Sequence, residues 1–304
     1  MIRLKHKSLA LYTFRQANLG AFRGIGGILS SGGKFQGMLK HLGVEGSTDM
    51  LDFEVTSSAL KVRLSTQFRA FVNATNGDVE LREVSAHFGN TTIVSEGSIA
   101  AQPGQKGQTA SLPMVVREGR IQDLLLLFVK SQRSPLTGVV SLRAKVAIPP
   151  EHRPFLQEVE LQADFGIDSA RFTASNTQQT VDKLSERAEG EKSEDPESVL
   201  SDLKGHVVLK DGIASFSSLS FRVPGAVAQI HGTYYLVSER IDLRGILHIQ
   251  AKLSDATTGI KSFLIKALNP FLKNDHPGAE VPMRITGTGT YSHPVYRLSS
   301  GSKP

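Results

Sequence analysis

Nine histidines stand at positions 6, 41, 87, 152, 206, 231, 248, 276 and 293 of this 304-residue chain, never at the short spacing that turns two imidazoles toward one metal ion. The chain has no cysteine, which excludes thiol nucleophiles, Cys-held zinc or iron–sulfur clusters, and disulfides. Gly27, Gly32, Gly33 and Lys34 imitate a phosphate loop, but the spacing fails and Phe35 stands where Ser or Thr would meet magnesium. A strand turn is expected there. No G-x-S-x-G elbow is present. Asp164 and Asp168 fall on one face of a strand, where a hydrolase can use two carboxylates, yet solvent-facing strands carry such acids far more often without any reaction. The chain is therefore expected to be no enzyme, with no catalytic residue, no metal site and no cofactor.

The elements that would hold any site follow from composition and pattern. Hydrophobic residues are 39% and charged residues 21%, the balance of a folded chain with a polar surface. The formal charge of +6 is uneven: residues 1–44 hold Arg3, Lys5, Lys7, Arg15, Arg23, Lys34 and Lys40 and no acid. This basic segment is expected to be a solvated leader, with contact to anionic lipid as its functional counterpart. Elsewhere basic residues are mixed with acids rather than interleaved with stacking aromatics, so nucleic acid is not an expected partner. The longest apolar run, Leu124 to Val129, has six residues against the roughly 20 that span a bilayer, and no signal peptide is legible near Met1.

Period-two alternation dominates. From Lys61 to Asn73, Val62, Leu64, Phe68, Ala70 and Val72 share one face, while the other is polar except for Phe71. Asn76-Gly77 then predicts a hairpin turn, and the shift of apolar parity at Arg82 and Glu83 predicts a bulge in the returning strand. Asp211-Gly212, Pro224-Gly225 and Ser238-Glu239 punctuate Leu203 to Leu253 into four antiparallel strands, the last carrying Ile241, Leu243, Leu247 and Ile249 on one face. Helical patterns are few: one near 120–129, one in the charged stretch 174–202, both expected to be insertions, and the strongest near 258–272. In that last helix Ile260, Phe263, Leu264, Leu268 and Phe271 form the apolar side, beside Lys261 and Lys266. The chain divides as a basic N-terminal segment (1–44), a first β region (45–173), a charged insertion (174–202) and a C-terminal meander with its helix (203–298).

One-sided strands must hide their apolar face beneath a second sheet, under helices, or against an apolar ligand. A closed sandwich is one solution. The other is a curved, one-sided groove, in which each sheltered methylene of an acyl chain gains roughly 0.8 kcal/mol.

Several ordered motifs carry a family resemblance. Asn73-Ala74-Thr75-Asn76-Gly77-Asp78, Gly119-Arg120-Ile121 with Asp123-Leu124-Leu125, Leu136-Thr137-Gly138, Val223-Pro224-Gly225-Ala226 and His231-Gly232-Thr233-Tyr234 resemble the C-terminal region of AsmA-like proteins of the bacterial envelope. The resemblance implies a long β-groove that handles phospholipids between the inner and outer membranes, a periplasmic or envelope location, and no catalytic residues.

The expected fold is mainly β, a long antiparallel meander forming a curved apolar groove with a few short helices. Val62, Leu64, Phe68, Val72, Val207, Leu209, Leu243, Leu247 and Ile249 are expected to line it. The Ile260 to Phe271 helix would cover its open end or dock at a membrane interface. The expected partner is a phospholipid or another acyl-chain lipid. The alternative is an envelope scaffold with a closed β core.

Overall fold

The structure, a computed structural model, describes residues 9–21, 24–56, 58, 60–104, 106–128, 134, 136–150, 153–173, 201–223, 226–249, 280–288 and 295–300. In chain order its elements are β1 (Leu9–Asn18), β2 (Ile25–Gly26), β3 (Ile28–Met38), β4 (His41–Val55), β5 (Lys61–Asn73), β6 (Asp78–Phe88), β7 (Thr91–Ala101), β8 (Gln108–Arg120), α1 (Ile121–Leu126) and β9 (Leu136–Ile148). Then follow α2 (Phe155–Glu158), β10 (Glu160–Phe172), β11 (Ser201–Lys210), β12 (Ile213–Val223), β13 (Ala226–Tyr235), β14 (Arg240–Ile249), β15 (Glu280–Thr288) and β16 (Val295–Ser300).

All sixteen strands belong to one antiparallel sheet, in which each strand pairs with its neighbours in sequence. The two-residue β2 is the exception: it pairs with the end of β4, so β1 lies beside β3. The sheet is not closed; β1 and β16 are its two edges.

Local chemistry sets the corners. At the β5–β6 turn, Asn73 Oδ1 accepts from the Thr75 nitrogen at 3.1 Å, Asn76 Oδ1 accepts from the Asp78 nitrogen at 3.1 Å, and Gly77 takes a φ of 81°. The expected bulge is present: Arg69 faces Glu83 and Ala70 faces Leu81, leaving Arg82 as the extra residue.

Alternation carries through the pairings and gives the sheet one apolar face. Phe68 faces Val84, Ala86 faces Ile93, Val116 faces Leu142, Ala144 faces Ala163, Leu161 faces Leu209, and Phe221 faces Ala228. The direction of curl follows from packing. Val55, at the end of β4, belongs to the same buried cluster as Ala144 and Val146 of β9, Ala163 of β10 and Leu209 of β11. β4 and β9 are five strands apart, about 24 Å across a flat sheet at about 4.8 Å per strand. They share one cluster, which includes Leu156 of α2, because the sheet folds over its apolar side, which is therefore concave. Gly24, beside β2, lies against α2: a Cβ there would come 2.6 Å from the Phe155 nitrogen.

Several sequence expectations are corrected. The basic segment is strand from Leu9 onward, because its alternate residues Tyr12, Leu29, Phe35 and Val44 extend the apolar face. β4 runs through position 44, so no break separates 1–44 from 45–173. Gly32 and Gly33 lie inside β3, not at a turn; Gly33 sits between Tyr12 and Gly46, where a Cβ would strike the β4 backbone. Ser201 and Asp202 begin β11 and belong to the sheet. The helix expected near 120–129 exists but is a packed cover (see below). The helix expected near 258–272 lies outside the described residues.

Candidate functional site

The concave apolar face is the one feature that gathers the expected site residues. Its middle is sealed by protein. One buried cluster joins Val116, Val140, Ile167, Ala170 and Leu203 to Ile121 of α1, with Leu124 and Leu125 packed against it. The turn after α1 sends Leu127 and Phe128 onto the other cluster, where Val55, Leu156, Val159, Leu209, Ala214 and Leu236 meet. α1 and the turn after it thus reach both clusters and cover the middle of the face. Its seat is polar as well as apolar. The Asp123 carboxylate accepts from the Asn90 nitrogen at 2.7 Å and from the Thr91 hydroxyl at 2.9 Å, and Thr91 Oγ1 accepts from the Arg120 nitrogen at 2.9 Å.

Toward the N-terminal strands the same face is only partly covered. Val62, Leu64, Phe68 and Val72 on β5 are partly buried, as are Val79, Leu81 and Val84 on β6 and Ile93 and Ile99 on β7. Phe68 lies across the bare backbone of Gly46, its registered partner; a Cβ on Gly46 would come 3.1 Å from Phe68 Cζ. Phe165 lies over Gly205 in the same manner, with 3.2 Å between its Cζ and the position of a Cβ. A ring laid down on glycine occupies less of the trough than one standing upright.

The expected lining residues therefore separate into groups. Val62, Leu64, Phe68, Val72 and Val207 lie on the concave side and are partly buried. Leu209 and Leu243 are on that side too, but at 7% and 8% exposure they are packed core, which corrects their assignment as open lining. The correction has a physical source: alternation decides which face a residue takes, not what the fold lays over it. Leu247 and Ile249 are placed by backbone register opposite Ala228 and Ala226. Ile260, Lys261, Phe263, Leu264, Lys266, Leu268 and Phe271 lie outside the described residues. Sequence reasoning missed the inward role of Val55 and Phe53, whose contact with α2 and its flanking strands joins segments about a hundred residues apart. It passed over Asp123 as part of a motif without a role.

The convex face is mainly polar, with Val94, Val208 and Ile246 as exposed apolar exceptions, and it is cross-linked by exposed ion pairs. Lys34, Glu45, Arg69 and Glu83 form a ladder across β3 to β6, with N–O distances of 3.1, 3.8 and 3.5 Å. Farther along, Arg284 forks onto the Asp242 carboxylate at 3.3 and 3.1 Å and, as the principal cause, holds its pKa below the ordinary value. The Asp211 carboxylate, at the β11–β12 turn, is likewise lowered, first by the 2.6 Å hydrogen bond from Arg153.

Asp164 is also on this outer face, exposed, and hydrogen-bonded at 2.7 Å to His206 Nδ1, whose Nε2 lies 3.5 Å from Gln162 Nε2. No hydroxyl is hydrogen-bonded to that ring among the described residues, and Asp168, four residues along, makes no side-chain hydrogen bond. The arrangement is an acid–imidazole pair without a nucleophile. Among the described residues no group of three or more His, Asp or Glu side chains converges as a metal site, and no helix is long and apolar enough to cross a membrane. Comparison of the chain with protein-family models, with curated proteins and with solved structures gives no match to any of them.

Proposed function

We propose that this chain is a non-enzymatic lipid-binding and lipid-transfer protein of the bacterial envelope, sheltering acyl chains on its concave face and so supporting phospholipid transport and outer-membrane biogenesis. The observation that carries this reading is the face itself: one open sheet, mainly apolar on the inside from β3 to β14, over which the described residues lay only a partial cover. Val62, Leu64, Phe68 and Val72 form an aliphatic and aromatic wall interrupted only by the small hydroxyls of Thr66 and its registered partner Thr48, and it holds hydrocarbon without fixing its position. A lipid with about thirty methylenes, buried there even in part, gains on the order of 10 to 20 kcal/mol before entropic costs. The resemblance to AsmA-like envelope proteins points the same way, and with it the periplasm and the phospholipid partner.

Native mass spectrometry of gently purified protein tests the proposal. The wild type is expected to carry copurifying phospholipid. Leu64→Glu and Phe68→Asp are expected to lose it while retaining the β-sheet circular dichroism spectrum, whereas Leu243→Glu, at a buried position, is expected to unfold. Wild-type protein free of lipid would overturn the reading.

A second reading, an envelope scaffold with a closed β core, draws on the two buried clusters under α1 and the β4 corner. It predicts no lipid, and it predicts that Leu64→Glu unfolds the protein as Leu243→Glu does.

A further inference from the structure

The outer face of the sheet is mostly polar, with single exposed apolar residues at Val94, Val208 and Ile246, and its exposed apolar side chains gather at one corner. Leu9 and Leu11 of β1 fall on the outer side by register with Gln36 and Lys34, and they are 62% and 81% exposed. Met38 and Leu39, at the adjoining β3–β4 turn, are 68% and 61% exposed. Two large apolar side chains are thus presented to water at the β3–β4 turn and two more on the neighbouring strand β1.

That hairpin tip is not isolated. The Leu39 carbonyl accepts from the Ala74 nitrogen of the β5–β6 turn at 2.7 Å. Gln108 Nε2, at the start of β8, donates to the Asn76 carbonyl at 3.4 Å and to Asp78 Oδ1 at 3.2 Å. Three successive turns on the same end of the sheet are stitched into one rim.

The charge on that rim is positive. Lys40 and Lys106 are exposed and form no ion pair among the described residues. Of the nearby carboxylates Glu80 pairs with Arg82 at 2.9 Å, while Asp78, which accepts from the neutral Asn76, Gln108 and Ala101 nitrogens, keeps its charge and is outnumbered by the two lysines.

We propose that this rim docks on an anionic bilayer, with Met38 and Leu39 entering the headgroup region and Lys40 and Lys106 meeting lipid phosphates. The inference rests on the lipid-groove reading, to which it adds the end of the trough that faces a membrane. A strand added to the free edge of β1 is less well matched. It would leave Met38 and Leu39, which sit at a turn, still in water, and the edge is interrupted by the bulge between Phe14 and Ala17.

The test is co-sedimentation of the full chain with vesicles of phosphatidylcholine plus phosphatidylglycerol, and with vesicles of phosphatidylcholine alone. Binding is expected to the mixed vesicles, at least about fivefold stronger than to the neutral ones. The double variant Met38→Asp/Leu39→Asp and the single variant Lys40→Glu are each expected to lose about tenfold or more while keeping the sheet spectrum and any copurified lipid. Unchanged binding in the double variant, or no binding by the wild type, would overturn the proposal. So would a wild-type dimer that the double variant dissolves, because the patch would then join two copies of this chain. Copurified lipid without vesicle binding removes the docking proposal alone; vesicle binding without copurified lipid removes the groove reading alone.

Discussion

Thr91 is 1% exposed, and its hydroxyl meets the Asp123 carboxylate at 2.9 Å, the Arg120 carbonyl at 3.4 Å and the Arg120 nitrogen at 2.9 Å. Asp123→Ala would leave that hydroxyl only the longer contact to the Arg120 carbonyl and strip the Asn90 nitrogen of its side-chain partner, at a cost of about 1–3 kcal/mol. A lower thermal midpoint is expected, with α1 exchanging its amide hydrogens faster; an unchanged midpoint would show that α1 is held by its leucines alone. The sequence made Phe71 conspicuous as the one apolar residue on the wrong side of β5. Its ring stacks on His41 with 4.2 Å between centroids, and the Arg82 guanidinium lies 5.6 Å from it on the bulge. The anomaly and the bulge were each legible in the sequence, but their meeting was not, since it depends on the register of three strands. For the same reason Leu209 and Leu243 could be assigned to a face and not to a depth.

Among the elements, strands were more legible than covers. The turns at Asn76-Gly77 and Asp211-Gly212 and the apolar parity of β5, β10 and β14 follow from periods of two residues and local turn chemistry. The seat of α1 depends on contacts with strands before and after it, and the fold of β4 onto α2 depends on the accumulated curl of five strands, which no local pattern encodes. The β14–β15 pair has its own signature in pH. Arg284 holds Asp242 below the ordinary carboxylate pKa of about 3.9, so the native state favours the charged form. The contribution is complete above that ordinary value and is lost as the pH falls through the lower native one. Acid titration below pH about 4 is expected to loosen β15 in the wild type, whereas Asp242→Asn, loose already at neutral pH, is expected to show a flatter acid limb. Hydrogen exchange across β15 distinguishes the two; identical acid profiles would refute the assignment. The pair is part-exposed, so the effect is expected to shrink with added salt.

Over the whole molecule, each strand's ladder partners are its neighbours in sequence, and the buried clusters are concentrated beneath α1 and around α2. Stability is then distributed along a line, with its maximum at β8–β12 and its minimum at the edges. Hydrogen exchange is expected to be slowest in β9–β11 and fastest in β1 and β16, with β5–β7 between them. Uniform protection would mean that the sheet is braced by something other than its two covers. One geometric consequence of this serial layout reaches past the single chain. Each hairpin contributes about 10 Å to the width of the ribbon and leaves its cross-section as it was. Natural selection can therefore set the reach of such a scaffold by duplicating or losing pairs of strands, while the profile seen end-on stays the same.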